Sequence, residues 1–181
     1  DLNDDKSREL WSAAGLSAVP AGSVLTHLDD EPVNSFSQAA NQSLETKSPR
    51  LRFSTPEGGT VDIPAGTTSI LPLLSKESTE RGWAGLVPVP RIDSIAEDAP
   101  CESLLRTGDR FANLEGIAWP SISEIQYLVA NSSKPQATIQ RGDTLINLDL
   151  PLRSDGKLGI GLSPASNPLQ LTGSRLEGDL Y

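Results

Sequence analysis

Apolar and polar residues alternate along Gly22–Leu28 and again along Arg110–Leu114, and each run ends at a turn, Asp29-Asp30-Glu31 in one case and Glu115-Gly116 in the other. Period-two alternation predicts half-buried strands. Beyond each turn a serine opens a stretch with helical spacing. Ser35 is the predicted cap of a helix through Leu44, with Phe36, Ala39, Ala40 and Ser43 at core-compatible positions, and Ser121 caps one through Ala130. Hairpins follow both helices. Leu51–Ser54 and Thr60–Ile63 flank Pro56-Glu57-Gly58-Gly59, while Thr138-Ile139 and Leu145–Leu150 flank Arg141-Gly142-Asp143. Three further elements complete the reading: a short helix over Ser7–Gly15 stopped by its glycine, a strand over Arg91–Ile95, and a short helix over Pro100–Leu105.

The order of elements repeats because the sequence does. A shift of 86 positions lays Gly22 on Gly108, Leu25 on Phe111, Leu28 on Leu114 and Ser35 on Ser121. The shift still holds where Arg50–Ser54 falls on Gln136–Gln140, so it spans about 30 residues without a gap. A repeat of that length is a domain duplication and not a solenoid of short units. It predicts a first domain over 1–74, a polar linker over 75–81, a second domain over 82–165 and an irregular tail over 166–181. Each half is long enough for a small core of its own. Strand-rich halves with two short helices each predict a mainly β, α+β design.

Composition narrows the partners. The net charge of −9 argues against nucleic acid and against an anionic membrane surface, both of which need basic patches. No apolar run approaches the length of a bilayer-spanning helix, and the acidic opening Asp1-Leu2-Asn3-Asp4-Asp5 is the opposite of a basic leader, so the chain reads as a piece of something larger. The single cysteine, Cys101, excludes an intrachain disulfide and is expected to be buried at a helix start.

In the second half, Ala99-Pro100-Cys101, the Gly108-Asp109 pair that opens a strand, the turn at Gly116, the Ser-capped helix and the arginine-containing hairpin resemble a PDZ domain of the bacterial type. The match covers about 80 residues. It departs at Leu104-Leu105, where the family has Ala-Gly-Leu; the first half keeps that triplet as Ala14-Gly15-Leu16. The segments "RGWAGLVPVPRIDSI" between the repeats and "GKLGIGL" after the second are similar to those bracketing the paired PDZ domains of bacterial site-2 intramembrane zinc metalloproteases of the RseP type. The resemblance implies two PDZ-like, partly open β-barrels in tandem. It implies a periplasmic, extracytoplasmic setting between membrane spans of a parent protease. It also implies a regulatory role, gating the access of membrane-anchored substrates. Other PDZ-bearing proteases, such as the HtrA type, suggest a soluble adaptor instead, and a spacer with occluded grooves is the third reading.

Catalysis is not expected of this chain. A zinc protease site needs two histidines in a His-Glu-x-x-His motif, and only His27 is present, so zinc would belong to the parent enzyme. His27 is read as a strand-face residue, Asp29-Asp30-Glu31 as a solvated turn, and Arg141-Gly142-Asp143 as a hairpin tip with glycine at a positive φ. A PDZ domain binds an extended peptide as an added strand, with a nest of backbone N–H groups receiving a terminal carboxylate. In the second domain the candidate loop is Trp83, Ala84, Gly85 and Leu86, and the candidate edge runs from Val87 to Val89, although Pro88 and Pro90 remove two donors from it. The opposing wall is Ile125, Leu128 and Val129, a stripe whose spacing suits core packing as well as a groove. Trp83 is either a domain-interface anchor or a pocket wall. The expected ligand is an apolar C-terminus, and the chain's own Asp179-Leu180-Tyr181 has the chemistry to compete for the groove of a neighbour.

Overall fold

The repeat seen in the residues is a repeat of strand register. In the computed structural model, which describes residues 15–46, 49–64, 88–164 and 170, strand β1 (Val24–Leu28) pairs antiparallel with β3 (Leu51–Ser54), placing Leu25 opposite Phe53 and Leu28 opposite Leu51, with a bulge between Leu25 and His27. Strand β6 (Arg110–Leu114) pairs with β8 (Gln136–Arg141) in the same way. There Phe111 faces Ile139, Leu114 faces Ala137, and a bulge lies between Phe111 and Asn113. Every one of these positions is related by the same shift of 86.

The chain divides into two compact units, residues 1–88 with 166–181, and residues 89–165. The first holds a four-stranded antiparallel sheet in the order β2-β1-β3-β4, where β2 is Glu31–Pro32 and β4 is Thr60–Ile63. Helix α1 (Phe36–Glu45) starts at Ser35, whose Oγ accepts from the Gln38 N–H at 3.2 Å. Leu16, Leu25, Leu51 and Phe53 are fully buried. Gln170 belongs with this unit: it bridges Val24, and its Nε2 donates to the Gly22 carbonyl at 3.1 Å.

The second unit is built on a six-stranded antiparallel sheet in the order β10-β5-β6-β8-β9, with β7 (Ile117–Ala118) paired to β6. Here β5 is Pro90–Ile95, β9 is Thr144–Asp149 and β10 is Ile160–Pro164. Ile92, Leu105, Phe111, Leu114, Ile125, Ile139 and Leu150 form one continuous core. Helix α2 (Ile122–Ala130) begins with a reciprocal cap, in which Ser121 Oγ accepts from the Glu124 N–H and Glu124 Oε2 accepts from the Ser121 N–H. The β8–β9 hairpin turns at Gly142-Asp143 with Gly142 at φ 58°, the position where a two-residue turn needs a left-handed residue.

Both sheets are antiparallel, and strands make up most of the regular structure among the described residues, in keeping with the mainly β design expected from the sequence. The helix count differs: among the described residues each unit has one α-helix, not two. Pro100–Leu105 is a chain of turns closed by Glu102 N–H to Ala99 C=O, Leu104 N–H to Cys101 C=O and Leu105 N–H to Cys101 C=O. Only the last of these has α-helical spacing, and a single such bond does not repay helix nucleation. The chain then turns away because the buried Asp109 carboxylate takes the Arg106 N–H. Ser7–Ala14 lies outside the described residues, and Gly15 leads into a short 3-10 turn over Leu16–Ala18. The stretch 65–87, which includes the expected linker, also lies outside them.

Candidate functional site

A cavity of about 440 Å³ opens between α2 and β10. Ile122, Ile125, Gln126, Val129 and Ala130 form its helical wall, and Leu158, Gly159, Ile160 and Leu162 form the opposite side. The helical residues follow the three- and four-residue steps of one helix face. Ile125 and Val129 are buried at the cavity floor, whereas Gln126 and Ala130 are exposed at its rim. Among the described residues strand β10 is the edge of the sheet: it pairs with β5 on one side only, so its second row of backbone groups faces away from the sheet.

The loop leading into β10 carries the polar chemistry. Three successive carbonyls are each held by a different partner. Lys157 C=O accepts from the Arg153 N–H at 2.8 Å, Leu158 C=O accepts from the Cys101 thiol at 3.1 Å, and Gly159 C=O accepts from the Ala96 N–H at 2.8 Å. In a planar trans peptide the N–H points opposite to the C=O. The N–H groups of Leu158, Gly159 and Ile160 are therefore turned away from those three partners, and none takes an acceptor from the described residues. Gly159 sits at φ 73°, a left-handed conformation that a residue with a Cβ adopts only with strain. Consecutive N–H groups around a left-handed residue make a concavity suited to an anion.

Charge at this end is mixed. Lys157 and Arg153 line the cavity, but the Arg153 guanidinium lies 3.0 Å from Asp98 and 3.9 Å from Asp155. Lys157 is exposed and gives the loop its positive side chain. Across the β5–β10 ladder, the Ser163 hydroxyl, with Arg91 secondary, holds the Asp93 carboxyl below its ordinary range.

Of the residues singled out by sequence, Ile125 and Val129 line this cavity. Leu128 is half-buried and packs on the core of the unit instead. Val89 is wholly buried where the chain enters β5, a strand flanked by β10 and β6, so the free edge beside α2 is that of β10. Trp83, Ala84, Gly85, Leu86 and Val87 lie outside the described residues, as does the chain end Asp179-Leu180-Tyr181. The groove residues missed by sequence reasoning are Leu158–Leu162. Their signal was present in "GKLGIGL", where small and apolar residues alternate, but nothing in the local pattern says that this segment returns to α2.

The other candidates resolve into structure. Arg141, at the base of the hairpin tip, folds back onto the strand entrance: its Nε donates to Asp109 Oδ1 at 2.8 Å, and its Nη2 donates to Asp109 Oδ2 at 2.6 Å and to the Leu104 carbonyl at 2.9 Å. Asp29 folds back so that its carboxylate accepts the Arg50 N–H at 2.8 Å, and Glu115 does the same for the Gln136 N–H, its partner under the repeat. His27 Nδ1 lies 3.0 Å from Thr26 Oγ1 on a strand face. The described residues contain no cluster of three metal-binding side chains, and one histidine in the whole chain does not fit the donor set of a site-2 protease zinc.

No family model matches the chain, and neither does any curated protein. Among solved structures it is similar to the PDZ domain of an SdrC-like protein from Listeria monocytogenes, with 22% identity over 40% of this chain and 85% of that one and a TM-score of 0.36. A PDZ domain of an SdrC-like protein from Listeria innocua shows 19% identity over 46% of this chain and 98% of that one, with a TM-score of 0.35. The second domain of a Listeria protein, determined in solution, shows 18% identity over 44% and 85% with a TM-score of 0.35.

Proposed function

We propose that the second unit is a PDZ-like peptide-binding module that captures an extended C-terminus between α2 and β10. The observation that carries this reading is the run of three N–H groups at Leu158, Gly159 and Ile160, left without acceptors among the described residues at one end of a groove with an apolar floor. A peptide added to the free edge of β10 would gain main-chain hydrogen bonds, and its terminal carboxylate would take up the N–H groups of the loop. Apolar side chains would enter between Ile122, Ile125 and Val129 on one side and Ile160 and Leu162 on the other. Ordering a flexible peptide consumes much of this energy, so the affinity should be on the order of micromolar or weaker.

The open volume of the groove favours this reading over a spacer with occluded grooves. The duplication supports a tandem of such modules. Ala84-Gly85-Leu86 shares the apolar-glycine-apolar order of Leu158-Gly159-Ile160; because the two units divide after Pro88, it is, with Trp83 and Val87, our candidate for the corresponding loop of the first unit and not, as expected from the sequence, of the second. The similarity of the bracketing segments to those of site-2 metalloproteases supports a regulatory, extracytoplasmic role. In that role the tandem would filter membrane-anchored substrates for a catalytic zinc held elsewhere in the parent. A soluble protease adaptor of the HtrA type uses the same groove chemistry, and a His-Glu-x-x-His motif between membrane spans in the full gene separates the two.

The groove itself is tested by a backbone-amide shift titration of the 181-residue chain with a short peptide ending in Leu-Val-Val. Shifts concentrated at 156–164 and along α2 are expected. Shifts absent from both segments would sink the reading, and shifts confined to 83–89 would move the site to that loop.

A further inference from the structure

The three carbonyls behind the loop are not held equally. Lys157 C=O and Gly159 C=O accept backbone N–H donors at 2.8 Å, whereas the middle one, Leu158 C=O, rests on the Cys101 thiol at 3.1 Å. A thiol is a weak donor. The peptide it holds lies between Leu158 and Gly159, and glycine tolerates the change in φ that a peptide flip requires. Such a flip would turn the Gly159 N–H from the groove toward the interior. The hydrogen bond from the thiol opposes that rotation.

Resting on the peptide-binding reading, we propose that Cys101 is a positioning residue for carboxylate recognition: its buried S–H, 3.1 Å from the Leu158 carbonyl, keeps the Gly159 N–H facing the ligand. Two further observations fit this role. Cys101 is fully buried in the core beside Leu158, so it has no access to the groove and acts only through the peptide plane. Burial also pushes the thiol pKa up, which keeps the proton on sulfur at neutral pH, where it is needed as a donor. The turn over Ala99–Leu105 fixes the sulfur from behind, since the Cys101 carbonyl accepts both the Leu104 and the Leu105 N–H at 2.9 Å.

The test compares free-acid and amidated forms of a short peptide ending in Leu-Val-Val, titrated into the full chain and three variants. Wild type should prefer the free acid. Cys101→Ala should bind the free acid about fivefold more weakly, the size of one modest hydrogen bond, and should lose most of its preference over the amide. Cys101→Ser, which keeps a donor, should stay within about twofold of wild type. Cys101→Val has no donor but fills the space, and it should behave as alanine does even if the alanine variant melts poorly. In both donor-free variants the Gly159 amide resonance should move in the free protein, a change that uniform loss of stability does not produce. Unchanged acid preference in both donor-free variants would overturn the positioning role and leave the groove intact. Wild type binding both peptides equally would remove the carboxylate role and this proposal with it. Wild type binding neither would overturn the groove reading first.

Discussion

Leu25 faces Phe53 across β1 and β3 of the first unit, and 86 positions on Phe111 faces Ile139 across β6 and β8 of the second. All four side chains are buried. The aromatic ring has changed strands while the pair keeps one large and one medium residue, a swap that preserves volume at a site where packing is dense. The bulge, the capping serine and the backfolded acidic residue recur at matching positions. The strand entrance does not. In the first unit Gly22 is followed by Ser23, a buried hydroxyl without a partner among the described residues. In the second, Gly108 is followed by Asp109, gripped by Arg141, whose counterpart in the first unit is Thr55. The same backbone therefore forms with or without an ion pair at its base. Register belongs to the duplication, and the ion pair is an addition of one copy.

Removing one partner of that pair should have the largest effect. Asp109 is 1% exposed and organises Arg141, the Arg106 N–H and, through Arg141, the Leu104 carbonyl. Asp109→Ala should destabilise the second unit by about 3 kcal/mol, read from urea denaturation, because it strands a partly buried guanidinium. The double change Asp109→Ser with Arg141→Thr installs the residues of the first unit and should cost less than the single one. If the double variant is the less stable of the two, the pair is a requirement of the register and not an addition to it.

Two arginine substitutions on α2 come next. Leu128→Arg should cost about 2 kcal/mol, because Leu128 packs on the core and a charge there loses solvation. Ala130→Arg lies on the exposed rim and should leave the thermal midpoint nearly unchanged while weakening binding of the Leu-Val-Val peptide by about tenfold. Equal stability losses in the two would mean that rim and core are not separable on this helix.

Smaller still is the aromatic swap. Phe111→Leu should cost about 1–2 kcal/mol by underpacking, and adding Ile139→Phe, which reproduces the order of the first unit, should recover about half of that loss. A double variant worse than the single would show that the strands flanking each pair, and not the pair volume, decide the fit. The smallest expected effect is at Lys134 and Asp149, whose side chains lie 2.9 Å apart but are 63% and 51% exposed. Lys134→Ala should change stability by less than about 0.5 kcal/mol in a denaturant titration.

Much of this architecture follows from the chain read alone. Alternation marks β1 and β6, Ser35 and Ser121 mark the helix starts, and Gly142 marks a two-residue turn, because each depends on residues within one turn or strand of one another. The identity of spacing across 86 positions predicts common register for the same reason: like local patterns make like strands. Two features needed the tertiary structure. Pro100–Leu105 has helical composition, yet it closes as turns because a distant arginine and Asp109 take over its exit. The groove partner of α2 is β10, some 30 residues further along the chain, because antiparallel pairing with β5 brings the segment Leu158–Leu162 to the sheet edge beside the helix. Pairing across that separation is set by closure of the sheet and burial of its core, neither of which a local pattern encodes.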